Sequence, residues 1–120
     1  MKQGFLNLFN YTPETVVLYS RETNRPVLKI PPEAQSLYAL QNPRVFYKPF
    51  ADFTVVSPPT YNGQLNFMPA RDISVIVDAT VGPILRGHCK NVFSMDVSPN
   101  GCVRDKRTGR VLGTYNLISY

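Results

Sequence analysis

The strongest signal in the hydrophobic pattern is Ile73-Ser74-Val75-Ile76-Val77. It is a nearly continuous β-branched run of the kind required by a strand covered on both faces. Asp78 follows where a helix N-cap would sit, since its carboxylate can accept from unpaired backbone N–H groups. Ala79 to Arg86 is long enough for about two helical turns. Gly82 and Pro83 keep that helix short, because proline lacks a donor and clashes with the preceding turn. Elsewhere the pattern predicts short strands. Phe5, Leu6, Leu8 and Phe9 open the first, which ends at Asn10-Tyr11-Thr12-Pro13, where the residue before proline is pushed out of the α region. Val16–Tyr19 and Val27–Ile30 form a hairpin around a polar turn over 22–26. Pro31-Pro32 ends it, since neither proline can donate to a ladder.

Further on, 36–40, 44–50 (interrupted by Pro49) and 53–56 are candidate short strands, and Asn62-Gly63 is a strong hairpin signal. Val92–Val97 is extended, and Ser98–Gly101 is a turn. Segments 102–105 and 110–115 make a hairpin around Lys106–Gly109, with Gly109 at a position that calls for a positive φ. Asn116–Tyr120 extends its second strand. Between 44 and 69 the pattern fits either strands or an irregular arm. The architecture expected is α+β and β-rich: a small twisted barrel or sandwich of seven to nine short strands, with one short helix after residue 78. Exposed edges in so small a sheet favour a homo-oligomer.

Composition narrows the class. A chain of 120 residues is one domain, 1–120, able to bury a core. Eleven Pro with seven Tyr and seven Phe favour strands and fixed turns over helices. No run approaches the ~20 apolar residues of a membrane span. The first ten residues are too short and polar for a secretory signal, which points to the cytoplasm. Cys89 and Cys102 are too few for a disulfide framework and are expected to be reduced thiols. With one His and no CxxC pair, no zinc site is expected.

The net charge is +5. Residues 86–110 carry +4 of it, with Arg86, Lys90, Arg104, Lys106, Arg107 and Arg110 against Asp96 and Asp105. With His88, these residues are a candidate anion site for a phosphate-bearing ligand; the alternative is a solvated hairpin tip. His88 lacks a readable nucleophile partner and reads as a loop histidine. Cys89, beside His88 and Lys90, is a candidate low-pKa thiol. However, neighbours on a strand point apart, which argues against a catalytic dyad. Asp72 and Asp78 flank a strand and lie ~20 Å apart, too far to share an ion. Phe46, Tyr47, Phe50, Phe53, Tyr61 and Phe67 are interleaved with Arg44 and Lys48. They could stack bases, but core and cross-strand pairing is the commoner use in a small β protein.

Several pieces, in order from about residue 10 to residue 117, resemble a family of small uncharacterised proteins encoded by tailed bacteriophages and prophages. Its pattern runs Asn-Leu-Thr-Pro-His, Ile-Pro-Pro, Gly-Leu-Pro, Tyr-Ile-Val-Ser before a small-residue helix, then a Val-Arg-Asp-Glu-X-Gly hairpin. The matching pieces are Asn10-Tyr11-Thr12-Pro13, Ile30-Pro31-Pro32, Phe67-Met68-Pro69, Ser74–Asp78 and Val103–Gly113. Glu14 stands where the pattern has His, and Asp78 where it has Ser. The resemblance implies phage origin and expression inside the host; it implies no activity.

No catalytic constellation or cofactor motif is readable, so a non-enzymatic protein is expected. One expectation is an accessory protein that binds a host component during infection, such as a counter-defence protein sequestering a nucleotide signal in the host cytoplasm. The alternative is a virion protein, decorating the capsid or placed in the neck or tail and contacting capsid or tail proteins.

Overall fold

The computed structural model describes residues 8–120. Phe5 and Leu6 of the expected first strand lie outside the described residues. The molecule is β-rich, with twelve strands and a single short helix among the described residues. The strands do not close into a barrel; they form two four-stranded sheets and two two-stranded ribbons.

The first sheet contains β1 (Leu8–Asn10), β8 (Ser74–Ile76), β9 (Asn91–Met95) and β12 (Leu117–Ser119), in that order. β8 runs parallel to both β1 and β9, so the expected two-face coverage holds: all three of its residues are buried. The period of two sorts its side chains. Val75 and Val77 join Val81, Leu85, Cys89, Val92 and Leu37 in one apolar cluster. Ile76 points the other way, into Leu8, Val16 and Ile30. Each fully buried aliphatic side chain of this kind is worth about 1.5–3 kcal/mol.

The second cluster is shared with the other four-stranded sheet. That sheet contains β10 (Cys102–Arg104), β11 (Val111–Thr114), β2 (Val16–Ser20) and β3 (Arg25–Ile30). β2 and β3 are the expected hairpin, antiparallel with Val16 opposite Ile30. Val16 and Ile30 therefore face the first sheet. β10 and β11 are the second expected hairpin, and Gly109 has φ +74 at its tip.

Two expectations fail beside these sheets. Residues 116–120 do not extend β11; β12 crosses to the first sheet and pairs antiparallel with β9. Thr114 is buried at the crossing, and its hydroxyl lies 2.7 Å from the Asn116 carbonyl oxygen and 2.9 Å from those of Asp96 and Gly101. One hydroxyl proton serves this trio of acceptors. Tyr120 then closes the edge: its N–H donates to the Val92 carbonyl (3.0 Å) and its phenol bonds Ser94 (2.8 Å).

The second failure is Asp78. The helix α1 spans Gly82–Leu85, and Val81, not Asp78, is its N-cap, with no side-chain cap. Pro83 is best placed in a helix's first turn, where its missing N–H costs nothing. The helix accordingly starts three residues late. Asp78 contributes its carbonyl to the preceding turn (Val81 N–H 2.9 Å, Gly82 N–H 3.1 Å) and its carboxylate accepts from the Thr80 hydroxyl (3.0 Å). A Cβ on Gly82 would sit 2.5 Å from the Tyr120 ring, so the start of the helix has room only for glycine.

The remaining strands build one long ribbon. β4 (Ala39–Gln41) pairs antiparallel with β7 (Tyr61–Leu65), and β5 (Phe46–Phe50) with β6 (Phe53–Val56). Bonds from Asn42 N–H to Thr60 O (2.8 Å) and Ser57 N–H to Val45 O (2.8 Å) link the two pairs into a single arm. Asn62-Gly63 is not its turn; it lies inside β7, where Gly63 takes φ +79 opposite a register shift. The turn is at Ala51, with φ +51. From Gln41 to the tip the ribbon reaches about 33 Å at the usual rise. The radius of gyration is 17.0 Å, against about 14 Å for a compact chain of this length.

Candidate functional site

Two regions offer a surface to another molecule. The first is a cleft at the carboxyl ends of the parallel strands β1, β8 and β9. In sheets with parallel strands, this is where the chain leaves the ladder and side chains become free to serve ligands. After β1, the fully buried Asn10 organises the exit. Its amide donates to the carbonyls of Glu14 (2.7 Å) and Ile30 (2.9 Å), and its oxygen accepts from the Thr12 N–H (2.9 Å) and hydroxyl (2.6 Å). This explains an Asn-X-Thr-Pro sequence physically: the side chain replaces the backbone partners that Pro13 cannot supply.

The turn so fixed presents Thr12 and Glu14 to a cleft of about 480 Å³, whose other walls include Tyr38, Val77, Asp78 and Met95. A second depression of about 330 Å³ adjoins it, sharing Tyr38 and Asp78 and adding Tyr61 and Thr80. The volumes are those of sites that take drug-sized groups. Among the described residues, the lining has two carboxylates, Glu14 and Asp78, and no Lys or Arg. An apolar-walled cleft with carboxylates at its rim suits an apolar or aromatic group carrying a cation and disfavours phosphate.

The second region is the arm. Phe46, Phe50 and Phe53 are 73%, 75% and 69% exposed, and Tyr47 is 54% exposed. The expectation that these rings pack in the core therefore fails, because a two-stranded ribbon has no second layer to cover them; the cross-strand pairing expected of them holds, with Phe50 opposite Phe53, Phe46 opposite Val56 and Tyr47 opposite Val55. Of the six aromatics from 46 to 67, Phe67 is the one that joins the interior, edge-on to Tyr11 at 5.8 Å.

The basic residues expected to form an anion site are divided between two places. His88 sits before β9, where its Nε2–H donates to the Pro69 carbonyl (2.8 Å) and its Nδ1 accepts from the Arg71 guanidinium (3.1 Å). A guanidinium only donates and a carbonyl only accepts, so these partners fix one neutral tautomer. His88 thus ties the loops before β8 and β9 together. Arg86 and Lys90 are exposed in the same loop. Arg104 lies beyond the other end of β9, donating to the carbonyls of Gly109 (2.8 Å) and Val97 (3.2 Å). Lys106, Arg107 and Arg110 are exposed on that hairpin tip. The five residues of β9 separate the groups by about 13 Å or more.

Both thiols are free and buried. Cys89 donates to the Ala70 carbonyl (3.3 Å) and Cys102 to the Ser98 carbonyl (3.3 Å). Burial pushes the Cys89 thiol pKa up, outweighing the nearby Arg71. The low-pKa thiol considered from its neighbours in sequence is therefore reversed in sign. No group of three or more His, Cys, Asp or Glu is arranged to hold a metal among the described residues, and no helix there is long and apolar enough to cross a membrane. No family model, curated protein or solved structure matches this chain.

Proposed function

We propose that this chain is a phage-encoded, non-enzymatic protein that works by assembly, as a virion component of the capsid surface, neck or tail. The observation that carries the reading is the arm, which holds four large aromatic side chains in solvent on a two-stranded ribbon. Monomeric proteins rarely leave a contiguous apolar patch above a few hundred Å² uncovered. Rings of this kind bury about 150–250 Å² each; by their pairing Tyr47, Phe50 and Phe53 share one face of the ribbon and Phe46 lies on the other, so the uncovered part on one face comes to roughly 300–500 Å². That is about half of the ~800 Å² each partner gives to a standard interface. An arm of this composition gains its stability when another subunit covers it.

Sequestration of a nucleotide signal draws less support. Phosphate recognition needs converging donors, whereas the donors of Arg104 are turned onto backbone carbonyls and His88 is held by Pro69 and Arg71. The test is mass spectrometry of purified particles of the encoding phage. The reading expects this chain in stoichiometric amount with capsid or tail proteins. Its absence from intact particles, with abundance in the infected-cell lysate, overturns it.

A further inference from the structure

We infer that the arm of one copy docks in the carboxyl-end cleft of the next copy, giving a head-to-tail interface. The inference rests on the assembly reading above and adds the partner and its site. The arm carries Arg44 and Lys48 among Phe46, Tyr47, Phe50 and Phe53, against a single acidic residue, Asp52. The cleft has the complementary chemistry, with Tyr38, Val77 and Met95 as apolar walls and Glu14 and Asp78 as its charges. A ring inserted between the walls leaves a neighbouring Lys or Arg beside a carboxylate, and opposite charges across a rim set orientation and speed encounter.

The arm's own molecule does not use the cleft in this way: Phe46, Phe50 and Phe53 remain about 70% exposed. Both halves of the contact therefore exist on every copy, at different places. Arm-to-cleft contact is heterologous, so it generates a ring where the rotation closes and a filament where it does not.

Complementary variants test this. Phe46→Ser with Phe50→Ser disables the arm and leaves the cleft intact. Ala79→Trp fills the cleft from an exposed lining position and leaves the arm intact. A second cleft variant, Glu14→Lys with Asp78→Lys, changes only exposed side chains and guards against misfolding of the first. Native mass spectrometry reads the outcome, with circular dichroism as the fold control. The expected result is a wild-type multimer, monomers of 13.5 kDa for each variant alone, and a one-to-one dimer on mixing an arm variant with a cleft variant. The dimer stops there, because one free arm meets one free cleft.

If both cleft variants assemble as wild type while the arm variant is monomeric, the arm pairs elsewhere. The docking inference then fails and the assembly reading stands. If the wild type is monomeric at every concentration, the docking inference fails, and the virion reading is decided by the particle composition alone. If the wild type stays monomeric and its arm aromatics instead bind a single-stranded oligonucleotide with steep salt dependence, the arm is a base-stacking surface, and both the docking inference and the assembly role of the arm are overturned.

Discussion

The central strand and the arm put large apolar side chains to opposite uses. β8 places Val75 and Ile76 at full burial between two apolar layers. The arm's Phe46, Phe50 and Phe53 are larger, yet lie in solvent. The difference is topological. β8 has a strand on each side and a layer on each face, whereas β5 and β6 have only each other. Hydrophobicity thus stabilises the fold in one region and is left over for association in the other.

Truncations at matched hydrophobic positions should separate the two regions most sharply. Leu85→Ala, from the fully buried helix side chain, is expected to cost about 2–5 kcal/mol in urea unfolding. Phe50→Ala on the arm is expected to change the monomer by no more than about 0.5 kcal/mol. Equal costs would show that the arm is part of the cooperative core. Next in size is Asn10→Ala, which strands the Ile30 carbonyl and the Thr12 N–H. The expected loss is roughly 1–3 kcal/mol, with changed mobility in the turn over 12–14 by amide exchange and none at the arm tip. Gly82→Ala forces a Cβ against the Tyr120 ring, an overpacking cost of about 1–3 kcal/mol. Gly82→Ala with Tyr120→Leu should recover part of it.

The smallest effect is on acid stability. Hydrogen bonds from Ser98 and Asn116 lower the Asp96 pKa, and backbone N–H groups of Thr108 and Arg107 lower that of Asp105. Both folded-state values lie below the unfolded ones, so the stabilisation is fully present above an unfolded pKa of about 3.9 and is lost as pH falls through the folded values. Thermal melts below about pH 4 should therefore show a steeper decline for wild type than for Asp96→Asn with Asp105→Asn. Parallel curves would contradict these hydrogen bonds. The arm aromatics contribute nothing to this acid limb.

How much was legible in the sequence follows from how local each signal is. The run Ile73–Val77, the hairpin turn at 22–26 and Gly109 declare themselves within a few residues, and β8, the β2–β3 pair and the tip at φ +74 follow them. Asp78 as a cap depended on where the helix begins, which Pro83 moved. The fate of 116–120 depended on Thr114 and on a distant partner, β9, and no local pattern encodes that. Asn62-Gly63 carried a true φ signal, but within a strand and away from any turn. The cleft was missed because it exists only through the parallel neighbours β1, β8 and β9; the available clue was two apolar strands, each followed by a polar turn, at Thr12–Glu14 and at Asp78. The basic segment counted charges along the chain, while β9 separates them in space.

The measurement that tests the central claim most directly is the native mass of the wild-type chain beside Phe46→Ser/Phe50→Ser/Phe53→Ser, with urea unfolding of the variant. The account predicts a discrete multimer for wild type and a 13.5 kDa monomer for the variant, which unfolds as a stable, cooperative domain. A wild-type monomer, or a variant that loses its fold together with its assembly, would contradict the claim that the arm serves association and not the core.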